Sequence, residues 1–380
     1  MSTNPRHPFL VTDAANTESA LPGSGLTESG LPGSRASGSG LWDRIESLGR
    51  SSGIAAIGVC SADPLEPART VLPLRKAQGL SSSMQFTYRN PERSTDPTRA
   101  LGTAQSLVVA AWPYARTEPT TPYSDTAVGR VAQYAWRDHY ADLQAVLDTI
   151  ADLLRGEGHE ARVHLDDNHL VDRNVAYRAG LGWYGKNANL LLPGLGSWFV
   201  LGSVVTDAFL SPTGPPLADG CGPCRRCIED CPTKAIVAPG VVDARRCLAW
   251  LVQGPGEIPV EFRAAVGDRI YGCDDCQDVC PPNQAGVAGP PLESDGDPAI
   301  DIAWILRAGD DELMNRVGRW YIADRDPNIV RRTALVVLGN TGDPSDPGVV
   351  ELVARYRNHA LPLLREHADW AADRLGLTNV

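Results

Sequence analysis

Eight of the nine cysteines of this 380-residue chain lie between Cys221 and Cys280. The run Cys221-Gly-Pro-Cys224-Arg-Arg-Cys227-Ile-Glu-Asp-Cys231-Pro232 has the C-x2-C-x2-C-x3-C-P spacing of bacterial ferredoxins. Three thiolates spaced this way wrap three irons of one cubane, and the fourth, fixed before a proline, turns to the neighbouring cluster. The spacing therefore predicts two 4Fe-4S clusters with crossed ligation. Cys221, Cys224 and Cys227 take Cys280 as their fourth ligand, and Cys231 joins Cys247, Cys273 and Cys276. Two four-thiolate zinc sites would use the same eight cysteines, but zinc sites pair two C-x2-C hooks and do not run three in series. Disulfides need an oxidising compartment. The N-terminus has neither the charged start and apolar run of a signal peptide nor a twin arginine, so reduced thiols and a cytoplasmic location are expected.

Around these ligands the chain must build enough core to hold them. Its length suggests about two to three domains, and 43% apolar residues suffice for packed cores. No apolar run approaches a membrane span. A formal charge of −11 argues against indiscriminate nucleic-acid binding while leaving room for a local basic face. The excess of arginine over lysine is read as genomic base composition.

Residues 1–40 are dominated by Ser, Gly, Pro, Thr and Glu and are expected to form a disordered tail, since such a segment buries too little to offset its ordering entropy. Order is expected from Leu41. Helical spacing over 41–48, about 66–79, 138–154 and about 170–179 alternates with apolar runs at 54–60, 106–114, 129–136, 161–166 and 197–206 that read as strands. Strands alternating with helices over 41–210 make an α/β domain. The cluster domain then spans 211–290, with a Pro/Gly/Asp-rich linker at 282–300, and 291–380 is helical, its paired helices suggesting HEAT-like repeats. Cys60, the ninth cysteine, reads as a small core residue.

Two motifs invite misreading. Gly180-Leu-Gly182-Trp-Tyr-Gly185 matches G-x-G-x-x-G, but it follows a helical pattern instead of a strand. A helix-ending glycine at Gly180 and a tight loop explain it better. Asp167-Asn-His169-Leu-Val-Asp172 falls one glycine short of a D-x-H-x-x-G corrinoid motif and is set aside.

From Leu41 onward the chain resembles the epoxyqueuosine reductases, cobalamin-dependent enzymes of tRNA queuosine synthesis. The matching pieces are Met84, Arg93 to Pro97, Tyr134-Ala135, Asp166 with Asp172-Arg173, Ala179 to Asn187, Gly196-Ser-Trp198, Leu201-Gly202, the eight cysteines, Tyr271 to Gln277, and Leu338 to Asn340. The resemblance implies a cobalamin held between the α/β domain and the clusters, with Arg93, Tyr134, Ala135, Asp166, Lys186 and Asn187 as its binding positions. It implies Asp166 as the catalytic proton donor, because an epoxide oxygen leaves poorly unless protonated; the plainer role for Asp166 or Asp167 is capping the next helix. It further implies a tRNA anticodon loop as partner, an external electron donor and a monomeric enzyme away from membranes. The sequence departs from the family over Trp136 to Ala141 and at His169, near the expected substrate pocket. A corrinoid reductase of small molecules and a non-catalytic electron carrier therefore remain alternatives.

Overall fold

The computed structural model describes residues 38–114, 127–285 and 296–377. The expected tail thus lies almost wholly outside the described residues, as does most of the expected linker. The first helix, Gly38–Ser51, starts three residues before the predicted boundary.

The first domain is built on a four-stranded sheet in the order Ala56–Ser61, Ser106–Pro113, Phe199–Thr206, Ala161–Leu165. Its content is the mixed α/β expected, but every pairing is antiparallel. Alternation along the central strands explains the continuous apolar runs. Leu107, Val109 and Ala111 join Leu201 and Val205 in one core with Leu65, Leu72 and Val175. Val108 and Ala110 face the other way, packing with Val200, Val204, Leu143, Leu147 and Ile150. With helices on both faces, neither face needs polar residues. Cys60 is 1% exposed within the first core, and burial pushes its thiol up to about 12.

The long helix here, His139–Gly156, begins where Asp138 accepts a hydrogen bond from the Ala141 amide at 2.9 Å. The segment expected as a strand over 129–136 is shorter: Val128–Val131 is extended and Gln133–Ala135 forms a 3-10 turn. That short strand pairs in parallel with Arg269–Tyr271 and antiparallel with Ala299–Asp301. It therefore stitches the first domain to the cysteine-rich segment and to the helical tail.

The tail packs Pro327–Thr341 against Pro362–Leu375, with Pro347–Arg357 alongside. Its core runs without a break into Leu248, Ile258, Val266 and Ile270, so the boundary expected at 290/291 crosses a shared interior. Arg332, fully buried, donates to the carbonyls of Leu251 and Gly254. These are last-turn and post-helix acceptors of Leu248–Leu251 that would otherwise be orphaned. Among the described residues no helix is long and apolar enough to cross a membrane.

His367 makes this junction sensitive to acid. It is fully buried, accepts from the Ile258 amide at 3.2 Å and faces the Leu363 carbonyl at 2.7 Å. One nitrogen accepts while the other donates, which only the neutral ring can do. Burial lowers its pKa to about 4. The unfolded chain takes up the proton below the ordinary value near 6.5 and the folded chain does not, so stability falls as pH drops from about 6.5 to 4. We expect His367→Gln to flatten this slope in urea titrations at stepped pH. An equal slope in both proteins would place the acid sensitivity elsewhere.

Candidate functional site

The loop after helix Asp172–Arg178 shows what the glycine motif does. Gly180 has φ +75°, and the amides of Gly180 and Leu181 return to the carbonyls of Tyr177 and Ala176, closing the helix end. A Cβ on Gly180 would meet the Pro215 carbonyl oxygen at 2.8 Å, and one on Gly182 would collide with the Leu191 carbonyl. These glycines serve close backbone packing into the hairpin Trp183–Tyr184/Leu190–Leu191.

The two polar residues that follow reach into the cysteine segment. The Lys186 ammonium donates to the carbonyls of Gly222 at 2.6 Å and Cys224 at 2.7 Å. Asn187 donates to the Cys276 carbonyl at 3.1 Å. Each thus clamps one of the two cysteine loops onto the first domain. A buried polar knot completes the joint: the Ser197 amide donates to Asn283 at 2.6 Å, its hydroxyl bonds Gln277 at 2.9 Å, and Asn283 donates to the Gln277 carbonyl at 2.8 Å.

All eight thiols in this segment are unpaired by disulfides. Burial raises the thiols of Cys227 and Cys280, each to about 11, and Cys273 to about 12. Their mutual influence sorts them. Cys227 is further raised by Cys280, Cys221 and Cys224, and Cys280 by Cys221 and Cys224. Cys276 is raised by burial and then by Cys273, Cys247 and Cys227, and Cys247 by Cys231. Desolvated neighbouring thiolates repel one another, so such a donor set calls for cations among them.

Asp172 and Tyr140 are closely surrounded by protein yet keep some accessible surface. Burial raises the Asp172 carboxyl well above the usual range, with further push from Asp167 and Asp166 and opposition from Arg173. Arg173, which donates to the Ala188 carbonyl at 3.3 Å, also lowers Cys247 and Tyr140, so its charge is felt by both the acidic group and the second group of thiols.

Asp166 stands at the end of strand Ala161–Leu165 with φ +47°. Its residue is exposed to solvent, but protein enclosing most of the carboxyl raises its pKa, helped by Asp167 and Asp138. It does not cap the next helix: that helix has no side-chain cap, and its N-cap position is Val171. The capping role is thereby excluded. Asp167 differs. Its burial is outweighed by the bond to His164 and the His169 amide, holding its pKa below the ordinary value. Two adjacent carboxyls are thus pushed in opposite directions by their surroundings.

Arg93 lies against this same loop. Its guanidinium donates to the Asn168 carbonyl at 3.3 Å, and Ser94 donates to the same oxygen at 2.5 Å, while Arg93 Nε is buried without a partner. Tyr134 accepts from Gln253 at 3.0 Å, and Ala135 is buried with its carbonyl held by Arg319. Arg93 therefore supports the loop that carries Asp166, whose charge is felt by Tyr140, whereas Lys186 and Asn187 work at the seam with the cysteine loops. Of the family departures, Asp138 caps a helix and His139 is buried 5.4 Å from the Tyr114 ring.

Asp172-Arg173 and the stretch Tyr271 to Gln277 stand among the pieces that match the family, but sequence reading gave Tyr140, Asp172, Arg173 and Asp274 no role in this region. Asp274 is buried, accepts from the Gln133 amide at 2.7 Å and from Gln277 at 3.1 Å, and burial raises it to about 7. The Asp-Asp pair between Cys273 and Cys276 was the available signal.

Comparison with known proteins fits this geometry. Residues 220–283 match the 4Fe-4S double cluster binding domain. The epoxyqueuosine reductase of Bacillus subtilis is 31% identical over 86% of this chain and 86% of its own length. That of Xanthomonas campestris is 33% identical over 88% and 96%. A crystal structure of epoxyqueuosine reductase with an epoxyqueuosine-modified tRNA-Tyr stem loop superposes with a TM-score of 0.82 at 29% identity, covering 90% of this chain and 91% of that one. The Bacillus subtilis enzyme with its catalytic aspartate loop swung out of the active site gives 0.80 at 28% identity, covering 89% and 91%.

Proposed function

The chain belongs to the epoxyqueuosine reductase family, and on that premise we propose that it reduces epoxyqueuosine to queuosine in tRNA. Converting an epoxide to an alkene releases its oxygen as water and consumes two electrons and two protons. The observation that carries the assignment to residues is a shared electrostatic neighbourhood: Asp166, a carboxyl of raised pKa, acts on Asp172 and Tyr140, and Arg173 acts on those two and on Cys247.

In this reading Cys221, Cys224, Cys227 and Cys280 hold one cluster and Cys231, Cys247, Cys273 and Cys276 the other, as their mutual electrostatic influence supports. The clusters and a cobalamin supply the electrons when bound, an external donor refilling the clusters. The residues present fit a cobalamin in a recess between the first domain and the cysteine loops. Arg93 keeps a buried unpartnered donor, and Ala135 with Tyr134 against it belongs to the core shared with the helical tail. Lys186 and Asn187 keep the two cysteine loops seated against the first domain. Asp166 delivers a proton to the departing oxygen, and its raised pKa keeps that proton available closer to neutral pH.

For the nucleic acid, Phe86, Trp250 and Tyr321 form an aromatic group, with Phe86 and Tyr321 ring centroids 4.8 Å apart and Tyr321 38% exposed. Such a face suits stacking of an unpaired base. The packing of Pro362–Leu375 against both Pro327–Thr341 and Pro347–Arg357 supports a HEAT-like tail flanking it. Anaerobic enzyme supplied with cobalamin and a low-potential reductant should convert epoxyqueuosine in tRNA to queuosine, read by mass spectrometry of nucleosides. Its affinity for the anticodon stem loop should fall as salt rises. Unconverted nucleoside with intact clusters and bound cobalamin would discard the assignment.

A further inference from the structure

The motif set aside in the sequence, Asp167-Asn-His169, turns out to be joined in space by a third residue. His164 on the edge strand, Asp167 and His169 on the following loop offer one donor atom each, all within 4.8 Å of one another. His164 Nδ1 lies 2.7 Å from Asp167 Oδ2, and His169 Nδ1 lies 3.3 Å from the same oxygen. We propose that this trio is a binding site for a divalent transition-metal ion of the zinc class, separate from the clusters and the cobalamin recess.

The chemistry of the three side chains carries the proposal. Two imidazoles and one carboxylate are a familiar donor set for such ions, leaving a position open to water. His169 Nδ1 is buried without a hydrogen-bond partner although it faces a carboxylate, as a nitrogen does when its lone pair points at an acceptor. A cation between the two satisfies both. His164 is 7% exposed, and its Nε2 is buried without a partner. Its cross-strand neighbour in the antiparallel register is Ser203, whose buried hydroxyl also has none. Paired side chains on one face of a sheet come within reach of each other. His164 Nδ1, turned to Asp167 Oδ2, is the atom it offers to a metal, and Nε2 is left for an outer-shell partner of the kind ligating histidines usually have.

Placement gives the site a consequence. His164 is fixed in the sheet, while Asp167 and His169 belong to the loop that begins with Asp166. An ion would tie that loop to the strand. His169, with 43% of its side chain exposed, provides the route for exchange.

The test uses anaerobically purified full-length enzyme with its clusters in place, dialysed against zinc buffered at micromolar free concentration. We expect one zinc per chain in addition to the cluster iron, with an X-ray absorption first shell of nitrogen and oxygen at about 2.0–2.1 Å. His169→Ala and Asp167→Asn should each weaken zinc binding at least about tenfold, comparable to outer-shell effects or larger, with iron content unchanged. A sulfur shell, meaning zinc taken by cysteines, overturns the proposal. So does equal zinc in wild type and variants, or no bound zinc, which would leave a hydrogen-bonded trio only. The wild-type spectrum decides the matter even if a variant fails to fold, and the readout does not depend on epoxyqueuosine turnover.

Discussion

Replacing Asp166 with asparagine should lower turnover of epoxyqueuosine-containing tRNA by about a hundredfold or more, the usual range for losing a general acid. Cobalamin binding and iron content should stay unchanged. Asparagine is the informative substitution because Asp166 has φ +47°, a left-handed conformation that asparagine accepts and most other side chains resist. Alanine would mix backbone strain with lost chemistry. The pH dependence gives a second reading. The carboxyl is raised by enclosure and by Asp167 and Asp138, so wild-type rate should fall as pH climbs through that raised value and the donor loses its proton. The variant should lack this limb.

Stability should move the other way. A carboxyl whose folded pKa lies above its unfolded value destabilises the native state once pH exceeds the unfolded value, since the fold disfavours the charge. Removing it should leave the neutral-pH melting temperature unchanged or slightly higher. Activity lost without stability lost is the pattern of a group kept for function. Wild-type turnover in Asp166→Asn would instead assign proton delivery to another group, with Asp172 next in line because its carboxyl is also raised and feels the charge of Asp166.

What could be read from the sequence was whatever is encoded locally. The cysteine spacing, the closing role of Gly180 and the core strands Ser106–Pro113 and Phe199–Thr206 are all features of short windows. Strand direction was not local. Helices cover both faces of the sheet, which erases the polar alternation that marks most antiparallel strands, so an antiparallel sheet presents the unbroken apolar runs of a parallel one. The parallel pairing of Val128–Val131 with Arg269–Tyr271 joins segments far apart in sequence, and no window contains both. The charged neighbourhood around Asp166 was illegible for the same reason. Tyr140 comes from one helix, Asp172 and Arg173 from another and Cys247 from the cysteine segment, and their shared environment exists only after folding. Lys186 shows a contact no window contains: it donates to two carbonyls of a cysteine loop more than thirty residues further along the chain.

Replacing Cys276 with serine should abolish turnover and remove roughly half the iron, since a serine hydroxyl is a poor substitute for a thiolate at an iron–sulfur cluster. Cys276 is pushed up by burial and then by Cys273, Cys247 and Cys227, the first two being members of the proposed second quartet. Its loop is also the one Asn187 holds to the first domain. Cys280→Ser should remove a similar share of iron through the other quartet, because Cys280 is influenced by Cys221 and Cys224. Low-temperature electron paramagnetic resonance of the reduced proteins should show a different residual signal for each variant. Crossed ligation makes a sharper demand than cluster loss alone: Cys231→Ser, although adjacent in sequence to the first three cysteines, should reproduce the Cys276 signal and not the Cys280 one. If it instead matches Cys280→Ser, the four cysteines of the first run bind a single cluster and the quartets must be redrawn. Cys60→Ser is the control. Its thiol sits in the sheet core against the Val175 carbonyl, so iron and turnover should be retained, with only a modest loss of stability from placing a more polar atom there.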